Sequence, residues 1–400
     1  MQIKNQMDLF KRKSNILITC PKGISPYLKE EIISLGFPIL SELVAGIATE
    51  GTLEDTMKIN LYIRTGHRVL FLLDKFNAKH PDDLYKKVSM IPWEDYIEKD
   101  GYICVTSSVD NPNIKDPRFA GLKCKDAIVD RFHKKFGCRP NSGSRRNRTV
   151  IHLFWQKDLC LVYLDTSGES LSRHGYRKIP LKAPMQETLA AATLLASRWN
   201  GKGNFINPMC GSGTLAIEAT LIALERSPGL LRNNFGFMHI NGFNKSSWKE
   251  LRNLANRKAK KTFEGKIIAT DISGNAVEAA RKNATTAGIE HLIEFHVCNF
   301  SDTPVPPGTG LVMLNPEYGE RLGEAEKLKK TYGEIGDFFK QKCKGYKGYI
   351  LTGNLELSKY VGLKTKRRIP FFNSNIECRL LEYDMYEGSR KSIKNPPAKK

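Results

Sequence analysis

From about residue 180 onward the chain alternates short apolar runs with longer helix-length segments, and this rhythm restricts the fold more than any other feature. Strands are predicted at Asn204–Ile206, Lys266–Thr270, Ile293–Val297, Leu311–Leu314, Gly348–Thr352, Lys366–Phe372 and Ile376–Tyr383. Strands spaced by helices favour a parallel sheet, because each connection must return along the sheet and does so as a right-handed crossover. The last two runs are too close for a crossover and should pair antiparallel. The expectation is an α/β, Rossmann-like domain on a mostly parallel seven-stranded sheet.

The first of these strands runs into Asn207-Pro208-Met209-Cys210-Gly211-Ser212-Gly213-Thr214, followed by a predicted helix over Leu215–Leu224. Gly211 and Gly213 let the backbone turn tightly and approach a ligand, and the helix start offers unpaired amides. The Gly-Lys-Ser/Thr ending of a phosphate loop is missing. A dinucleotide site would expect its acidic ribose ligand roughly 20 residues further on. Here the next carboxylate at a strand end is Asp271, after a long insertion (about Ser227–Phe263). Asp271 is delivered to the carboxyl edge of the sheet, where open α/β folds bind ligands. A carboxylate there can accept both hydroxyls of an adenosyl ribose. Capping the helix at Ala276–Asn283 is the competing role for Asp271, and Ser273 can fill it instead. Asn299, after the third strand, could meet an adenine edge. The candidate contacts of a nucleoside-containing cofactor are therefore Asn207, Met209, Cys210, Gly211, Gly213, Thr214, Asp271, Ile272 and Asn299.

Strand Leu311–Leu314 ends in Asn315-Pro316-Glu317-Tyr318. The side-chain carbonyl of Asn315 and the backbone carbonyl of Pro316 can accept the N–H groups of an aromatic amine and aim its lone pair. Tyr318 offers a face on which an extruded base can stack, worth about 1–3 kcal/mol. Asn-Pro alone often marks a plain turn. After a glycine loop and an acidic second strand it points to chemistry. The combination suggests transfer of a methyl group from S-adenosylmethionine to the exocyclic nitrogen of a base. Asn315, Pro316 and Tyr318 are the catalytic candidates, acting mainly by positioning. Adenine N6 would suit this motif as well as guanine N2.

At 400 residues the chain exceeds what one core usually organises, so more than one domain is expected. Its 63 Lys and Arg outnumber 42 Asp and Glu, leaving +21. Such an excess favours a polyanionic partner, because neutralising phosphates releases counterions. Between Arg131 and Lys157 there are eight Lys and Arg residues and no acidic one, including Arg145, Arg146 and Arg148 in a Gly/Ser/Asn-containing turn. No run is apolar enough to span a bilayer, and the first residues are polar and charged, so neither a membrane nor a secretory signal is expected. Nine cysteines without a Cys-x-x-Cys pair argue against structural zinc or a disulfide framework and fit a reducing cytoplasm. No metal is expected.

The N-terminal half reads as two α+β zones. The first has a strand at Asn15–Cys20, a helix around Leu28–Gly36, and short strands near Leu40–Leu43 and Gly46–Thr49. The second has strands at Arg68–Leu73 and Tyr102–Ser107, helices at Pro81–Met90 and Lys123–Phe136, and a hairpin of Val150–Trp155 with Leu159–Asp165. His152 is expected simply to sit on one face of its strand. The tail from Glu387, with Arg390, Lys391, Lys394, Lys399 and Lys400, reads as a disordered basic segment.

Taken together, several segments resemble the THUMP-domain RNA methyltransferases, and specifically the bacterial 23S rRNA guanine-N2 methyltransferases in their single-methyltransferase form. They are Leu164–Arg177, Ala183–Ala191, the glycine loop, Asn315–Leu322, Leu351–Asn354 and Ile376–Leu380. The resemblance implies a ferredoxin-like segment at 14–67, a THUMP RNA-binding domain at 68–166, a Rossmann-like methyltransferase domain at 167–386 and the tail at 387–400. It also implies N2-methylguanosine as the product and structured RNA, 23S rRNA or a large-subunit assembly intermediate, as the partner. Arg145, Arg146, Arg148, Lys366, Arg367 and Arg368 are the expected phosphate contacts, with Lys364 beside them. Three positions depart from the family's commonest pattern. Asn207 and Asn299 stand where Asp is usual, and Glu317 replaces the second proline of Asn-Pro-Pro-Tyr. Two alternatives stay open: a tRNA guanine-N2 methyltransferase, and a non-catalytic ribosome-assembly factor with a vestigial cofactor site.

Overall fold

The computed structural model describes residues 9–114, 116–181, 184–317 and 325–385. They fall into two compact units, one of residues up to 174 together with 227–258, the other of 175–226 together with those from 259 onward.

The first unit is built on one eight-stranded sheet. Its strands are β1 (Lys13–Thr19), β2 (Ser41–Leu43), β3 (Gly46–Thr52), β4 (Arg68–Asn77), β5 (Tyr102–Asp110), β6 (Asn141–Ser142), β7 (Thr149–Gln156) and β8 (Leu159–Asp165). The spatial order is β2-β3-β1-β4-β8-β7-β5-β6. β4 pairs antiparallel with β1 on one side and with β8 on the other, with a bulge between Leu72 and Asp74. The expected boundary at 67/68 therefore falls just ahead of a strand that both halves share. Helix Pro117–Phe136 follows its local signals closely. The Asp116 side chain accepts from the Arg118 amide, Pro117 occupies the first turn, and Gly137 ends the helix at φ 71°. Helix Leu53–Tyr62 was not anticipated. It starts at a capping box in which the Asp55 amide donates to the Thr52 hydroxyl at 3.0 Å and the Thr52 amide to the Asp55 carboxylate at 2.8 Å.

Segment 227–258, which lies within 167–386 in sequence, packs within the first unit. Gly236 approaches so closely that a Cβ would lie 2.3 Å from the Asp165 carbonyl oxygen. The guanidinium of Arg232 donates to the carbonyls of Ser170 (2.8 Å), Arg173 (2.9 Å) and Glu169 (2.9 Å). Arg252 in turn donates to the carbonyls of Arg232 (2.9 Å) and Leu230 (3.1 Å). Phe235, Phe237 and Trp248 form the segment's own aromatic nucleus, with ring centroids 4.9–5.4 Å apart.

The second unit contains β9 (Asn204–Pro208), β10 (Ile267–Asp271), β11 (Ile293–Val297), β12 (Gly310–Leu314), β13 (Tyr346–Thr352), β14 (Arg367–Asn373) and β15 (Ile376–Asp384). Their order is β11-β10-β9-β12-β13-β15-β14, parallel from β11 through β13. β15 runs antiparallel to both β13 and β14. Buried Ile206, Ile268, Val312, Leu314, Ile350 and Leu381 meet Tyr332, Ile335, Phe338 and Phe339 of helix Ala325–Lys342 on one face. Burying each such side chain contributes about 1.5–3 kcal/mol. The strand order reverses between β9 and β12, so the carboxyl ends of these two strands frame the crevice in which such sheets bind ligands.

Candidate functional site

Leaving β9, the chain turns through Met209 (φ 55°), Gly211 (φ 55°) and Gly213 (φ 83°) before entering helix Thr214–Ala223. Gly213 is required twice over, by its left-handed backbone and because a Cβ would sit 2.8 Å from that of Ala280. Gly211 faces open space, with nothing within 4 Å of a would-be Cβ. The loop thus presents bare backbone beside a helix start whose amides favour electronegative groups. Thr214 accepts a hydrogen bond from Arg177 at 2.8 Å. Burial, then the nearby Asp271 carboxylate, pushes the Cys210 thiol upward, so it stays protonated and contributes backbone rather than nucleophile.

Asp271 ends β10 and fastens two loops. Its carboxylate accepts the Gly211 amide at 2.9 Å and the Ser273 amide at 2.9 Å. Ser273 caps the following helix through its own hydroxyl, which leaves Asp271 outside that role. Beside Asp271, Ile272 is 73% exposed, and Val297, the register partner of Asp271 on β11, is 59% exposed. Two bare apolar side chains at one sheet edge suit the face of an aromatic ring. Val297 was missed by sequence reasoning, because a strand-end valine reads as core. Asn299 is exposed, and its carbonyl accepts the Ser301 amide at 3.0 Å, leaving its NH2 group for a ligand.

Asn207 is 1% exposed, and its NH2 group donates to the Met313 carbonyl on β12 at 2.9 Å. Its Oδ1 is buried and accepts nothing from the described residues. Two residues beyond Met313, the Oδ1 of Asn315 is likewise buried and without a partner among them. An unpartnered buried acceptor costs about 1–3 kcal/mol. Two of them lie on adjacent strand ends, at the switch point of the sheet, where they can accept from a ligand's donors. Pro316 follows, buried, and Glu317 is exposed. Tyr318 lies outside the described residues, as does the tail from 387.

Asn283 was also overlooked in the sequence. Fully buried on helix Gly274–Ala287, it accepts the amides of Lys178 (2.9 Å) and Ile179 (3.1 Å). It also donates to the carbonyls of Ile179 (3.2 Å) and Ser212 (3.1 Å). One amide thereby ties the glycine loop to the segment entering this unit. Its signal, an Asn inside an Ala-rich helix, carries no mark of the long-range partners.

The basic residues divide. Arg145, Arg146 and Arg148 are exposed and form no ion pair with described residues. In the second unit, Lys366 pairs with Asp384 at 2.7 Å and Arg367 with the buried Glu382. Both cations are thus paired with carboxylates of β15, while Arg368 stays exposed. His152 does lie on the sheet face, 2.9 Å from the Thr106 hydroxyl. Among the described residues no helix is long and apolar enough to cross a membrane, and no group of three or more His, Cys, Asp or Glu gathers to hold a metal.

A seven-stranded sheet of this order, with a glycine loop after β9 and a carboxylate after β10, is the class I methyltransferase fold. The chain belongs to the RMKL-like methyltransferase domain family, which residues 174–382 match. Residues 15–70 match the RlmL ferredoxin-like domain and 78–165 the THUMP domain. Over 379 residues, 92% of this chain, it is 37% identical to the ribosomal RNA large subunit methyltransferase K/L of Syntrophotalea carbinolica, covering 53% of that protein. The chain thus spans about half the length of such relatives. A Synechocystis sp. protein named as a candidate RNA methyltransferase is 31% identical over 92% of this chain and 96% of its own length. The crystal structure of a candidate methyltransferase complexed with SAH superposes with a TM-score of 0.85 at 27% identity, over 95% of this chain and all of that one.

Proposed function

We propose that the chain is an S-adenosylmethionine-dependent RNA methyltransferase that forms N2-methylguanosine in 23S rRNA. The observation that carries this reading is the pair of orphaned acceptors, Asn207 Oδ1 and Asn315 Oδ1, on neighbouring strand ends. The residues present fit the cofactor. Asp271 would take the ribose hydroxyls, Ile272 and Val297 the adenine face, Asn299 its edge, and Asn207 Oδ1 the methionine ammonium. Asparagine at 207 keeps a free acceptor where the family commonly has aspartate, and asparagine at 299 leaves its NH2 group for the adenine edge.

Bound there, S-adenosylmethionine supplies a methyl group on a sulfonium, already activated for transfer. Asn315 Oδ1 and the Pro316 carbonyl accept the two N–H groups of an exocyclic amine, which turns the nitrogen lone pair toward that methyl. Neither group is basic enough to take the proton that the nitrogen sheds as it gains the methyl, so that proton passes to solvent and the protein's work is orientation. Glu317, exposed, can accept the N1–H that guanine presents and adenine lacks. The target must be unpaired or flipped to reach Asn315. Arg145, Arg146, Arg148 and Arg368 contact RNA phosphates in this reading. The relatives named for large-subunit rRNA methylation support the substrate class.

The deciding experiment incubates the protein with labelled S-adenosylmethionine and total RNA from cells lacking it, then fractionates the RNA and digests it to nucleosides. Label in N2-methylguanosine from 23S rRNA is expected. Label in the tRNA fraction would move the substrate, and no label with no cofactor binding would favour an assembly factor.

A further inference from the structure

Helix Lys245–Lys258 of the insert carries Lys245, Lys249, Asn253 and Arg257 at successive spacings of four, which places them along one side of the helix. All four are exposed. Lys245, Lys249 and Arg257 form no ion pair with described residues. Two other cations of the insert are used differently, since Arg232 and Arg252 spend their guanidinium groups on backbone carbonyls and hold the segment in place. The stripe is therefore mounted on a fixed support and spans about 18 Å at 1.5 Å per residue.

Just before this helix, residues 238–243 line a polar pocket of about 360 Å³ that also takes in Tyr102, Arg148 and Thr149. The pocket is bridged by the Thr149 hydroxyl, which donates to the His239 carbonyl at 2.8 Å. Nearby, the Asn234 amide donates to the Asn147 carbonyl at 3.0 Å. Glu98 is the one carboxylate on its wall. Arg148 thus joins the exposed loop of Arg145, Arg146 and Arg148 to the wall from which the basic helix departs.

We infer that the insert at 227–258, although encoded inside the methyltransferase domain, completes the RNA-binding surface of the first unit. In this arrangement the helix stripe extends the phosphate contacts of loop 145–148 past the shared pocket. The inference rests on the RNA-substrate reading above. It explains why a segment interrupting one unit is built into the other: the cations gain a rigid seat beside those of the loop.

The test measures binding of protein-free 23S rRNA transcript at stepped KCl concentrations, for wild type and for a Lys245→Gln, Lys249→Gln, Arg257→Gln variant. Each phosphate contact contributes about 0.7–0.9 to the slope of log affinity against log salt. The variant should therefore lose about two to three from that slope, raise the KM for RNA and leave kcat unchanged. A companion variant, Lys245→Arg, Lys249→Arg, Arg257→Lys, should keep the slope, which separates charge from packing. An unchanged slope in the glutamine variant, or an equal loss in the charge-retaining one, overturns the inference and leaves the methyltransferase reading standing. Wild type without salt-dependent RNA binding would remove that reading, and this inference with it.

Discussion

The amide of Gly211 donates to the carboxylate of Asp271 across 2.9 Å, so the two halves of the proposed cofactor site hold each other in place. The same carboxylate accepts the Ser273 amide and still has lone pairs facing outward. Asp271→Asn keeps the shape but loses the charge and turns one acceptor into a donor. Hydrogen bonds to a charged group are worth about 1.5–3 kcal/mol, so affinity for S-adenosylhomocysteine should fall about ten- to a hundredfold. Titration calorimetry checks this; unchanged affinity would remove Asp271 from the site.

Asn315→Ala should act on a different step. Its Oδ1 has no described partner to lose, so the fold should tolerate the change and cofactor affinity should stay within about twofold. Turnover should fall about 10²–10³-fold, the range for removing one preorganised hydrogen-bonding group. Single-turnover methyl transfer with saturating cofactor reads this directly.

Asn283 is a positioning residue. Asn283→Ala deletes four hydrogen bonds and leaves the amides of Lys178 and Ile179 without their acceptor. Urea denaturation should show a loss of about 2–4 kcal/mol. Cofactor affinity should weaken through Ser212 while kcat at saturation changes little.

His152 supplies a pH signature. Burial, then Arg68 and Arg146, lower its pKa to about 4 from 6.5. The native imidazole thus stays neutral where the unfolded chain would bind a proton, and stability falls as pH drops from about 6.5 toward 4. His67, also lowered to about 4, first by burial, acts in the same direction. The buried carboxyls of Glu31 and Asp165, raised by burial, act in the opposite one. His152→Gln removes one titration and can keep a hydrogen bond to Thr106. Between pH 6.5 and about 4.5 it should lose about 1–2 kcal/mol less stability than wild type. Parallel urea-unfolding curves at both pH values would show that His152 titrates normally.

Much of this molecule is legible from local pattern. All seven strands of the second unit's sheet, the antiparallel pairing of β14 with β15, the glycine loop and the place of Asp271 at a strand end follow from short-range signals. A strand advertises itself by apolar run length, and a ligand loop by glycines that must turn. Helix Leu53–Tyr62 was missed despite the Thr52/Asp55 capping box, because its apolar positions are diluted by Glu, Asp, Thr, Lys and Asn.

What only tertiary structure decided are the long-range pairings. Lys366 and Arg367 look like free cations until β15 brings Glu382 and Asp384 against them. Asn283 is an unremarked helix residue until four backbone groups, some more than a hundred positions away, converge on it. Segment 227–258 sits inside one domain in sequence and in the other unit in space, because Arg232 and Gly236 find their partners at 165–173. The orphaned oxygens of Asn207 and Asn315 are the same kind of fact. Periodicity and propensity act over a few residues and write the elements into the sequence. Burial, charge neutralisation and the lack of a hydrogen-bond partner arise only when distant segments meet.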